Sequence, residues 1–219
     1  FDPFVGRGLV PVEFDSDIFA AIKEATTSGI IVVESAGNGF EDLDHPAYGG
    51  AFNRSTRDSG AIIVGAGKPE GGIYGSGPDR TRTEESNFGS RVDLQGWGRF
   101  VTTCGYGGLR FEQGPNNWYT IDFAATSAAA AMVAGAAAVL QSIAKERNGT
   151  PLRPEELRLL LVLSGTPQAG NLSEHIGPRP DLRAAVAFLE SGGTDPVIDR
   201  IKLKNGGAKL VVDGAGFIT

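Results

Sequence analysis

Apolar residues at Ile18, Ala21, Ile22 and Ala25 recur at the spacing of one helical face. They predict an amphipathic helix from Ser16, its N-cap candidate, to a stop at Gly29. The pattern then changes abruptly. Ile30-Ile31-Val32-Val33 is a β-branched run without polar alternation, as expected of a strand buried on both faces of a parallel sheet. A second buried strand is predicted at Ala61 to Ala66, beyond a polar stretch through Asp42, His45, Tyr48 and Asn53. Lys68 to Asn87 is charged and glycine-rich and reads as a surface loop, and short strands are expected at Arg91 to Leu94 and Phe100 to Thr103.

The strongest helical pattern is Ala125 to Lys145, alanine-rich with Met132, Val133, Val139, Leu140 and Ile143 as its larger apolar members. Its small side chains predict close packing in the core, with the N-terminus at the carboxyl edge of the sheet, where α/β folds place ligands. Further helices are predicted from Pro154 and from Asp181 to Leu189. Helices and buried strands in this order predict an α/β fold, three-layered α/β/α around a mainly parallel sheet. After Gly192-Gly193 the texture shifts. Val197 to Lys204 and Ala208 to Asp213 alternate around Asn205-Gly206-Gly207 as a β-hairpin would. A domain is therefore expected over 1–193, with its boundary at Gly192 to Asp195, and 194–219 reads as a linker and the start of a β-rich accessory module.

Composition narrows the functions. The 219 residues suffice for one sizeable α/β domain or one domain and the start of another. The net charge of −6 comes without a basic face, which argues against a nucleic-acid partner. Cys104 is the only cysteine, so the chain holds no internal disulfide and no cysteine-based metal site. The apolar stretch from Ala128 to Leu140 is shorter than the roughly 20 residues of a membrane span, and none is expected. No acidic, regularly spaced calcium loop is visible, and Asp42 and Asp44 read as a solvated loop.

Three segments carry candidate chemistry. Ser35-Ala36-Gly37-Asn38-Gly39 follows a buried strand, where glycines allow a sharp turn and an asparagine amide can donate to a developing oxyanion; an ordinary Asx turn fits the same residues. Phe123-Ala124-Ala125-Thr126-Ser127 leads into the alanine-rich helix and sets a serine beside free backbone N–H groups, a position that plain N-capping also explains. Between them, Ser86-Asn87-Phe88-Gly89-Ser90-Arg91-Val92-Asp93 is by itself a turn and a short strand.

Together and in order, A-G-N after a buried strand, S-N-F-G-S-R-V-D with a following glycine, and A-T-S-x-A-x-x-x-V-A-G-A-A-A make the chain similar to the subtilisin-like serine proteases, over roughly Val10 to Phe188. The resemblance implies peptide-bond hydrolysis through an acyl-enzyme, on a peptide or protein substrate. Ser127 would be the nucleophile, Asn38 and the Ser127 N–H the oxyanion donors, and Ser35-Ala36-Gly37 the lining of the primary specificity pocket. It implies no cofactor beyond structural calcium, and secretion by family habit. In that family the catalytic Asp and His precede the oxyanion asparagine, yet the 37 residues before Asn38 contain no histidine. His45 and His175 stand in loops unlike the family's histidine motif, so Asp and His are expected from the N-terminal part of the same protease domain, upstream or on a separate chain. The helix motif also departs from the family: Ala125 stands where glycine is usual, and Ala131 and Met132 replace its proline and histidine. A catalytically inactive relative that binds peptide in the same cleft is the alternative expectation.

Overall fold

Three short parallel strands organise the chain, in a computed structural model that describes residues 9–71, 77–191, 197–204 and 209–215. Strand β1 is Val33–Ser35, β2 is Ile62–Gly67 and β3 is Leu94–Trp97, in the order β1-β2-β3 with Glu34 opposite Ile63 and Val64 opposite Leu94. Every residue of β2 is buried, as a central parallel strand requires. The edge strand differs from expectation. Pairing begins only at Val33, Ile30 is 57% exposed, and Ile31 to Val33 are half-buried. Their β-branched run is thus a strand approach on the sheet's rim, covered on one side only.

Alternation along β2 builds two cores. Ile62, Val64 and Ala66 face α2 (Ala125–Asn148), α3 (Pro154–Ser164) and α4 (Leu182–Glu190), meeting Val133, Ala137, Leu140, Leu157, Leu161 and Ala185. Ile63 turns the other way, toward Ala36, Leu43, Tyr48, Phe52, Val92 and Ile176. Phe14 stacks on Phe52 at 5.7 Å, so the segment running into α1 (Ser16–Thr27) closes that side. The cap of α1 is Asp15, whose carboxylate accepts from the Asp17 and Ile18 amides; Ser16 is its first residue, because a carboxylate also complements the positive end of the helix dipole.

The alanines of α2 have a steric reason. A side chain at Gly96 in β3 would come within 2.6 Å of the Ala129 carbonyl oxygen, so helix and strand meet backbone to backbone. Val133, Ala137, Leu140 and Ala144 lie on the sheet-facing side, whereas Ala131, Met132, Gly135, Ala138 and Val139 are exposed, Val139 at 47%. At 24 residues and high hydropathy, α2 has the length and composition of a membrane span, although here it is the core helix against the sheet.

Strands β4 (Val101–Leu109) and β5 (Tyr119–Phe123) form a separate antiparallel pair, and β5 delivers the chain directly to the start of α2. Beyond α4, β6 (Val197–Lys204) and β7 (Lys209–Ala215) pair antiparallel, as the alternation predicts. The expected boundary at Gly192 to Asp195 and the turn Asn205-Gly206-Gly207 lie outside the described residues.

Candidate active site

The first half of the site grows from the end of β1. Ala36 still donates to Val64 O (2.8 Å), after which Gly37 takes φ +89° and breaks away from the sheet. Only glycine fits there, since a Cβ would stand 2.0 Å from Leu9 O. Asn38 is thereby set at the carboxyl end of the sheet, half-buried.

The second half grows from β5. Ala124 is extended (φ −147°, ψ −174°), and Ala125 turns the chain into α2 with φ +61° while donating to Gly98 O at 2.9 Å. A left-handed alanine is strained by its Cβ, by about 1 kcal/mol or more. This is the position where the resembled family has glycine, and the backbone keeps the conformation that glycine would adopt without strain. Thr126 is buried and Ser127, next in the first turn of α2, is exposed.

The two halves meet through one side chain. Thr126 donates twice to Asn38 Oδ1, from its backbone N (3.2 Å) and from Oγ1 (2.7 Å). An N–H can only donate, so the acceptor must be the amide oxygen, and Asn38 keeps both Nδ2 hydrogens for another acceptor. The first N–H groups of α2 have no partner within the helix, and no acidic side chain stands in its first turn. Asn38, the α2 N-terminus and exposed Ser127 together supply amide donors and a hydroxyl at the carboxyl end of the sheet.

The other residues singled out in the sequence fall as follows. Ser35 and Gly37 are half-buried, whereas Ala36 is fully buried in the second core with its carbonyl taken by Asn87 Nδ2 (2.8 Å). His45 Nδ1 accepts from Ala47 N (3.2 Å) and lines an open cleft of about 300 Å³ with Leu43, Asp44, Gly50, Asn53 and Ser90. His175 Nε2 donates to Val92 O (3.1 Å). Among the described residues, no three or more His, Cys, Asp or Glu side chains group as a metal site.

Behind β1 lies a buried ionic cluster that the sequence did not announce. Arg91 and Glu13, both with no side-chain exposure, pair at 2.8 Å, and Arg91 also holds Asp93 (2.9 Å), which Arg54 meets from the other side. Glu34, one residue before Ser35, accepts the Glu13 amide on Oε1 (2.9 Å), while its Oε2 finds no partner among the described residues. Burial pushes its carboxyl up to about 7, with the Glu13 charge adding to the rise and Arg91 opposing it.

Comparison with known proteins bears on this geometry. A model described as the Subtilase family matches residues 10–177. Among solved structures, the patellamide maturation protease PatA is similar at 20% identity and TM-score 0.54, over 82% of this chain and 58% of that one. A protease from Pseudoalteromonas arctica matches at 23% identity and TM-score 0.54, over 79% and 47%. A cold adapted subtilisin-like serine proteinase matches at 24% identity and TM-score 0.52, over 75% and 50%. The chain thus spans about half the length of these structures, and at such identities the likeness is one of fold. Among curated proteins no sequence matches.

Proposed function

The chain belongs to the subtilase family, and from that premise we propose that it is the part of a serine endopeptidase that supplies the nucleophile and the oxyanion site. The observation that carries the reading is the double donation from Thr126 to Asn38 Oδ1, because it leaves the Asn38 Nδ2–H groups beside the turn that presents Ser127. In the proposed reaction Ser127 Oγ attacks the scissile carbonyl carbon and its proton passes to a base. The carbonyl oxygen takes the negative charge against Asn38 Nδ2–H and the Ser127 N–H. Collapse expels the amine, which takes up the proton, and water then hydrolyses the acyl-enzyme. Ser35 and Gly37, with Ala36 as buried support, would border the pocket for the residue preceding the cleaved bond.

The base is the missing part. Both histidines of the sequence are engaged elsewhere, with Ala47 and Val92. We assign the base and its orienting carboxylate to further sequence of the protease domain, on the same chain or a separate one. The edge position of β1, the exposed Ile30 and the bare Met132–Val139 face of α2 all support an additional part seated there. Secretion and structural calcium belong to the proposal through the family resemblance. The strained Ala125 favours a second reading, a member that binds peptide without cleaving it, since a shift in that turn moves Ser127 directly.

Labelling with a fluorophosphonate, read by intact mass with Ser127→Ala as control, separates the two. Rapid labelling at Ser127 establishes a hydroxyl activated by a base. Absence of labelling when the rest of the protease domain is supplied favours the binding protein.

A further inference from the structure

Asn87 is fully buried and spends its whole amide on one purpose. Its Oδ1 accepts from Gly39 N and Glu41 N, each at 2.9 Å, and its Nδ2 donates to Ala36 O (2.8 Å) and Leu9 O (2.7 Å). Its backbone N donates to Gly37 O at 3.0 Å. An amide has two donors and two acceptor sites, so the side chain is saturated. Apart from Leu9, all of these partners lie between Ala36 and Glu41, on both sides of Asn38. The loop wraps the amide so closely that a Cβ at Gly37 would meet Asn87 Nδ2 at 2.7 Å and one at Gly39 would meet Oδ1 at 3.0 Å.

Asn87 is itself anchored to the central strand. Ser86 Oγ accepts from Ala66 N in β2 (2.9 Å) and donates to Asn87 O (2.9 Å). A continuous chain of bonds therefore runs from β2 through Ser86 and Asn87 to the loop bearing Asn38. Thr126 fixes Asn38 at its oxygen alone, and pivoting about that point would swing Nδ2 away unless the main chain on either side were also held.

We propose that Asn87 is a positioning residue for the hydrolysis, clamping 36–41 so that the Asn38 amide stays aimed at the oxyanion. The inference rests on the reading of Asn38 as an oxyanion donor.

The test uses the full chain and its Asn87→Ser variant. In the unaltered protein the Gly39 and Glu41 amides should exchange with deuterium as slowly as those of β2. In Asn87→Ser these two should become fast, and the Asn38 side-chain amide signals should broaden, while β2 stays protected. Where turnover of a fluorogenic peptide is measured, kcat should fall about 10- to 100-fold with KM within about threefold. In an Asn38→Ala background the same substitution should change kcat by less than about twofold, because its effect passes through Asn38. Fast exchange at Gly39 and Glu41 in the unaltered chain, unchanged Asn38 signals in Asn87→Ser, or an additive kcat loss in the double variant would each overturn the proposal. The spectra need no turnover, so a chain that hydrolyses nothing counts against the protease reading while the exchange and Asn38 signals still decide the clamp.

Discussion

Thr126 Oγ1 donates to Asn38 Oδ1 at 2.7 Å, joining residues 88 positions apart in the sequence. The bond turns two ordinary loop features, a glycine-flanked asparagine and a helix-opening threonine, into one oriented donor.

Thr126→Val keeps the shape and the backbone N–H but removes that hydroxyl bond. On the proposed protease reading, and with the rest of the protease domain supplied, kcat should fall about tenfold with little change in KM, against about 100-fold or more for Asn38→Ala, and Thr126→Ser should recover most of the loss. Steady-state kinetics or the fluorophosphonate labelling rate measures the order; a Thr126→Val enzyme as active as the unaltered one would remove Thr126 from the site.

Ala125→Gly should be stabilising, against the usual trend for glycine at the start of a helix. Relief of the left-handed strain at φ +61° outweighs the extra freedom of the unfolded chain, for a net gain of about 0.5–1 kcal/mol and a Tm rise of about 1–4 °C. Thermal denaturation decides it, and a fall in Tm would mean that the turn is relaxed with alanine in place.

Glu34 predicts an inverse dependence of stability on pH. Its folded-state carboxyl lies near 7 against an ordinary 4.5, so the folded chain holds a proton that the unfolded chain has released between those values. Stability should therefore fall as pH rises from about 4.5 to 7, by at most about 3 kcal/mol from this group. Glu34→Gln should flatten that slope and raise Tm at pH 8 by on the order of 5 °C, leaving pH 4.5 nearly unchanged. Identical profiles for the two proteins would show that Glu34 finds compensation in solution.

Arg91→Met leaves buried Glu13 without its Arg91 partner and Asp93 with Arg54 alone. The loss should be about 3–5 kcal/mol, seen as a lower denaturant midpoint. Arg153→Met on the exposed start of α3 should stay within about 0.5 kcal/mol, since its pairs lie in solvent.

What the sequence determined by itself was whatever local chemistry encodes. Periodicity marked α1, α2, α3 and α4, the apolar run marked β2, and the ordered A-G-N, S-N-F-G and T-S segments carried the family, because each is a short pattern with its own steric logic. Tertiary structure decided the rest. Asp15 and Ser16 are both acceptable caps in sequence, and only the backbone angle at Asp15 chose between them. Ile30 to Val33 has the composition of a buried strand, yet exposure depends on what lies beyond the sheet's edge. The partnership of Thr126 with Asn38, the four bonds of Asn87 and the raised carboxyl of Glu34 all join segments far apart along the chain. A buried polar group gains its meaning from the partners that folding brings to it, and no local pattern records who those partners are.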